Sequence, residues 1–133
     1  LFSAYQTNAY AGNELWISDG TVAGTFELKD IYPGATSSNP SAYIKISDSL
    51  TIFLANSGDN ELWITDGTSE GTHIFYDFYP GEDLDFSLSF TNGETFFFGV
   101  SDGYSSPTAF WMSDGTGEGT ILLDSNLQRA LLY

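Results

Sequence analysis

The 133-residue chain has no cysteine, one histidine, one methionine and only three basic residues. Without cysteine there are no disulfides, thiolate metal sites or cysteine nucleophiles; the compartment stays open, since secreted proteins also do without the residue. Against the three bases stand eighteen acids, for a formal net charge of −15. Phosphate contacts need Lys and Arg, so this balance argues against nucleic-acid binding and against adhesion to anionic lipid. No stretch approaches the roughly 20 apolar residues of a membrane-spanning helix, and no signal peptide is apparent. The chain opens on Leu1, and Leu1-Phe2-Ser3-Ala4 reads as the middle of a repeat. A processed chain or part of a longer one is therefore expected. The acidity reads either as solubility or as a means of binding divalent cations, and composition leaves both open.

What the chain has in quantity is aromatic residues, at 17% of the sequence, within a hydrophobic fraction of 41%. That is enough to fill the core of one ordinary domain, and it excludes disorder despite the charge. The aromatics fall in a repeat. Glu14-Leu15-Trp16-Ile17-Ser18-Asp19-Gly20-Thr21 returns as Glu61-Leu62-Trp63-Ile64-Thr65-Asp66-Gly67-Thr68, and again as Ala109-Phe110-Trp111-Met112-Ser113-Asp114-Gly115-Thr116. Gly24-Thr25, Gly71-Thr72 and Gly119-Thr120 follow at one fixed spacing. Successive tryptophans are 47 and 48 residues apart. A period in the forties with strand-like content points to propeller blades.

The expected fold is all-β: repeated four-stranded antiparallel units, about three propeller blades, spanning approximately residues 1–46, 51–90 and 95–133 of a single repeat region. Each unit starts on an apolar run (Phe2, Phe53 and Phe98 lie within them) too short for a helix and suited to a strand buried on both faces. A loop of variable length leads to the Glu-Leu-Trp strand, where Leu15 and Ile17 lie on one face and Trp16 on the other. The Asp-Gly-Thr turn then enters a third strand that stops at Tyr32-Pro33-Gly34 or Tyr79-Pro80-Gly81, since Pro lacks the ladder donor. A fourth strand follows, and Asn92-Gly93 gives a strong hairpin signal before the next apolar run; Asp48-Ser49 is its weaker equivalent. After Leu123 the third unit lacks Tyr-Pro-Gly and reads either as a capping strand or as a terminal segment packed differently.

These motifs resemble the ELWxxDGT repeat family. The match is complete at Glu14 to Thr21 and at Glu61 to Thr68, while Ala109 and Phe110 replace Glu and Leu in the third copy. The resemblance covers essentially the whole chain. It implies propeller-like repeats of secreted or surface-exposed bacterial proteins, often large and multidomain, with no known catalytic activity. Three units are too few to close a propeller of typically about 4–8 blades. The preferred expectation is that further blades lie outside this stretch; association of copies, two giving six blades, and an open array are the alternatives.

Asp19-Gly20, Asp66-Gly67 and Asp114-Gly115 are the most regular candidate sites. Each Asp reads as a turn-closing acceptor in preference to a calcium ligand, because one carboxylate per turn falls short of the 6–8 oxygens calcium takes. The acidic loop residues Glu82, Asp83 and Asp85, with Asp59 in the shortest variable loop, come closer to a hard-cation site, so calcium is carried as the one candidate cofactor. His73 occupies an ordinary strand position, and no triad surrounds it. The recurring tryptophans read as packing between blades in preference to sugar stacking. Non-repeating loop aromatics, Tyr5, Tyr10 and Tyr104, are the recognition candidates. The expected function is a non-enzymatic extracellular or cell-surface module for adhesion, assembly or scaffolding, whose partners are other protein chains or further blades of the same polypeptide. The alternatives are a carbohydrate- or peptide-binding module working through residues 5–13 and 100–108, and a fragment of a secreted propeller hydrolase.

Overall fold

Runs of aromatic and β-branched residues, broken by Gly- and Asp-rich turns, give strands, with no helix among the described residues. The computed structural model describes residues 1–5, 12–101 and 108–124. Among these run β1 (Phe2–Tyr5), β2 (Asn13–Ile17), β3 (Phe26–Lys29), β4 (Ser41–Lys45), β5 (Thr51–Asn56), β6 (Asn60–Thr65), β7 (His73–Tyr76), β8 (Asp85–Thr91), β9 (Phe96–Ser101), β10 (Ala109–Ser113) and β11 (Ile121–Asp124). The chain is all-β, and every pairing is antiparallel. Three sheets form, in the orders β1-β2-β3, β4-β5-β6-β7 and β8-β9-β10-β11.

The sheets are framed one strand earlier than the sequence units. β4 and β8, counted above as the last strands of their units, pair with β5 and β9, the apolar runs that follow them. Connector length decides this. Between β8 and β9 the turn is closed by Asn92, whose backbone N–H donates to Thr95 O at 3.1 Å and whose side-chain oxygen accepts from the N–H groups of Glu94 and Thr95. Gly93, at φ +94°, lets the chain reverse there. At the β4–β5 turn Ser47 Oγ does the same work, accepting from the N–H groups of Ser49 and Leu50. The Pro-Gly loops after β3 and β7 are longer and carry the chain into the next sheet instead.

Successive sheets pack face to face through equivalent positions. The registers Phe2↔Trp16, Phe53↔Trp63 and Phe98↔Trp111 put one Phe–Trp pair in each sheet. In the second sheet Phe53 and Trp63, with Tyr43 stacked on Phe53 at 5.7 Å, cluster with Leu15, Ile17, Leu28 and Ile31 of the first sheet and its following loop. The opposite face, Ile52, Leu62, Ile64 and Phe75, clusters with Phe98, Val100 and Trp111 of the third sheet. The Trp63 and Trp111 faces thus each meet the Leu/Ile face of the preceding sheet. The register steps at the same place in each sheet, between Leu15 and Trp16, Leu62 and Trp63, and Phe110 and Trp111, with Leu28, Phe75 and Leu123 as the extra, bulged residues on the neighbouring strands. The expectation that the apolar runs are buried strands holds for β5 and β9; β1 is mostly exposed. Among the described residues the stack does not close on itself.

Candidate functional site

The Asp-Gly-Thr turn has one hydrogen-bond pattern, built three times. In the first copy Asp19 Oδ1 accepts from Thr21 N at 2.9 Å and from Thr21 Oγ1 at 2.7 Å. Thr21 Oγ1 in turn accepts from Gly24 N at 2.9 Å. Thr25 Oγ1 donates its one proton to Thr21 O at 2.6 Å, so in the 2.6 Å contact between Ser18 Oγ and Thr25 Oγ1 the proton must come from Ser18. Ser18 Oγ also accepts from Gly20 N at 3.0 Å, completing a relay from amide through two hydroxyls to carbonyl. The same bonds recur around Asp66 and Asp114.

Two glycines per copy are required for different reasons. Gly20, Gly67 and Gly115 lie at φ +91°, +89° and +94°, where an L side chain is strained. Gly24, Gly71 and Gly119 have no such φ, but a Cβ on any of them would stand 2.1 Å from the Oδ1 of its own turn's Asp. The carboxylate lies directly on the glycine backbone, which explains why a second Gly recurs at fixed spacing. The Thr hydroxyl and then the Thr amide hold the carboxyls of Asp19, Asp66 and Asp114 below the usual carboxylate range. A carboxylate so held is a poor proton acceptor, and the geometry is that of a clasp joining β2 to β3, β6 to β7 and β10 to β11.

The motif Glu carries a role that sequence reasoning missed. Glu14 is buried, at 1% exposure, and its carboxylate is enclosed by donors. Oε1 accepts from Ser38 N at 2.9 Å; Oε2 accepts from Ile31 N at 2.9 Å, Tyr32 N at 3.4 Å and the Ser38 hydroxyl. The side chain thereby pins the loop after β3 onto β2. Glu61 holds the same motif position at 7% exposure, but no hydrogen bond reaches its carboxyl among the described residues. Burial, followed by the charges of Asp77 and Asp59, pushes its pKa up to about 7. The available signal was the recurrence of Glu before Leu-Trp together with a polar loop rich in free amides.

Among the described residues the remaining candidates do not assemble into a site. Asp83 Oδ1 accepts from Asn60 N at 2.9 Å, and Leu84 N donates to Asn60 O at 3.0 Å, so Asp83 braces the start of β6. Glu82 and Asp85 are exposed. Among the described residues no three His, Cys, Asp or Glu side chains converge as metal ligands, so Asp59, Glu82, Asp83 and Asp85 do not form such a group. His73 starts β7, exposed and opposite Ile64. Trp63 is buried, and Trp16 and Trp111 are partly buried; all three indole N–H groups are enclosed without an acceptor among the described residues, so the rings act through their area. Tyr5 is exposed, at 68%. Tyr10, Tyr104 and the segment after Asp124 lie outside the described residues. Comparison with protein-family models, curated proteins and solved structures returns no match.

Proposed function

We propose that the chain is a segment of a β-propeller of the ELWxxDGT type, acting as a non-enzymatic extracellular or cell-surface module for assembly, scaffolding or adhesion. The observation that carries this is the repeated interface: the Trp63 face meets the first sheet and the Trp111 face meets the second through equivalent positions. A stack built by repetition leaves a face at each end for a further sheet, which is the basis of a scaffold. The Asp-Gly-Thr carboxylates and that of Glu14 support a structural role, since they are occupied in holding turns and a loop. The extracellular setting follows from the family resemblance alone.

Hydrogen exchange on a tandem fusion of two copies tests the stacking. Amides of β11 in the first copy and β1 in the second should become protected relative to the single chain; unchanged exchange at that junction overturns the reading. Recognition of a glycan or peptide is the second reading, favoured by the exposed Tyr5. An array probed with the folded chain separates the two, because binding lost on Tyr5→Ala would move the function to the loops.

A further inference from the structure

We propose that the two end faces, uncovered among the described residues, are the complementary halves of one interface, and that copies of this chain join head to tail, the first sheet of one against the third sheet of the next. The proposal rests on the stacking reading above and adds the partner, a second copy.

The strand registers make the comparison position by position. Phe2, Phe53 and Phe98 are equivalent, each opposite the motif tryptophan. Inside the stack Phe53 and Phe98 are 0% exposed, whereas Phe2 is 36% exposed. At the other end Leu28, Phe75 and Leu123 are equivalent, each the bulged residue that the register skips. Leu28 is 5% and Phe75 is 7% exposed, while Leu123 is 51% exposed. Residues that the stack buries twice are thus uncovered at its two ends.

The two end faces match because the molecule already joins such faces twice. The first sheet presents Phe2 and Trp16, the counterparts of Phe53 and Trp63, which pack on Leu15, Ile17 and Leu28. The third sheet presents Phe110, Met112 and Leu123 at the positions of Leu15, Ile17 and Leu28. Every one of those positions is apolar. β1 also has an open edge: β5 and β9 each have an outer neighbour, but among the described residues β1 pairs with β2 alone. Such an edge is a template for another strand. An interface joining different faces of identical molecules either closes into a ring or extends as a fibre. Each copy carries a net charge of −15, so added salt should strengthen the association by screening repulsion.

Sedimentation velocity of the purified chain, Phe2→Glu, Leu123→Glu and their equimolar mixture is the test. The wild type should sediment faster with rising concentration and with salt. Each variant blocks one end and should weaken self-association by roughly 30-fold or more, the scale of losing a central apolar anchor. The mixture, holding one intact face of each kind, should form a dimer that grows no further. Circular dichroism and urea midpoints near wild type certify folding, which is expected since both side chains are exposed in the single chain. A wild type that stays monomeric overturns the proposal, as does a mixture that fails to pair or a single variant that associates as well as wild type. A monomeric wild type beside a tandem fusion with a protected junction refutes joining between copies while leaving the stacking reading intact; an unprotected junction sinks both.

Discussion

Replacing Glu14 and Glu61 separately by Gln should move stability in opposite directions, although both residues hold the same place in the same motif. Glu14 accepts from three backbone amides and the Ser38 hydroxyl. In Glu14→Gln an NH2 group replaces one acceptor oxygen and faces donors. Losing charge-assisted bonds and stranding buried donors costs about 3 kcal/mol. Glu61 is buried beside Asp77 and Asp59 without that cage, and its pKa rises from 4.5 to about 7. A folded value above the unfolded one means that the folded protein holds the proton more tightly. The penalty is therefore absent below about pH 4.5, grows as pH rises, and is complete above about pH 7. The full shift corresponds to at most about 3 kcal/mol, and solvent screening at the sheet margin reduces this to about 1–2 kcal/mol. Glu61→Gln should then stabilise the protein by about 1–2 kcal/mol at pH 8 and by nearly nothing at pH 4.5. Urea titrations at the two pH values, followed by the fluorescence of Trp16, Trp63 and Trp111, give both numbers. Equal destabilisation by the two substitutions at pH 8, or a neutral Glu14→Gln, would refute the reasoning.

The remaining expectations concern the turns and the acidic loops. Thr72→Val breaks a buried hydroxyl relay and should cost about 1–3 kcal/mol, whereas Thr25→Val, in the exposed first copy, should stay within about 0.5 kcal/mol; equal losses in urea titrations would contradict the burial difference. Gly71→Ala drives a Cβ to 2.1 Å from Asp66 Oδ1 and should cost about 1–3 kcal/mol, while Gly117→Ala, with open space around it, should be neutral or slightly stabilising. The depressed carboxyls of Asp19, Asp66 and Asp114 stabilise the fold above their unfolded value of 3.8, and that contribution is lost as pH falls through the lower folded values. Together with Glu61 this gives a melting temperature that rises from pH 7 to about 4.5 and falls below about pH 4, and a scan that rises steadily into acid would contradict it. Chelation should leave the melting temperature unchanged, because Asp59, Glu82, Asp83 and Asp85 do not converge; a clear upward shift on adding calcium would reverse that view.

Much of this protein is local and was therefore legible in its residues. The all-β character, the Asn92-Gly93 hairpin and the Asp-Gly-Thr clasps depend on contacts within a few positions, so turn chemistry and period-2 alternation are enough to read them. The face carrying Trp63 and Trp111 was legible for the same reason. Strand partnership was not, because β4 is near in sequence both to β3 and to β5, and only the relative length of the two connectors assigns it to the later sheet. Nor could the motif alone distinguish Glu14 from Glu61. One carboxylate is held by amides that a loop some twenty residues away brings to it, and the other is left beside two further acids. Gly24 was visible as a fixed position, but its reason, the Asp19 carboxylate lying on its backbone, required the folded turn. Phe2 and Leu123 have the same residue character as their buried counterparts, and what separates them is whether another sheet lies above, which only the tertiary arrangement decides.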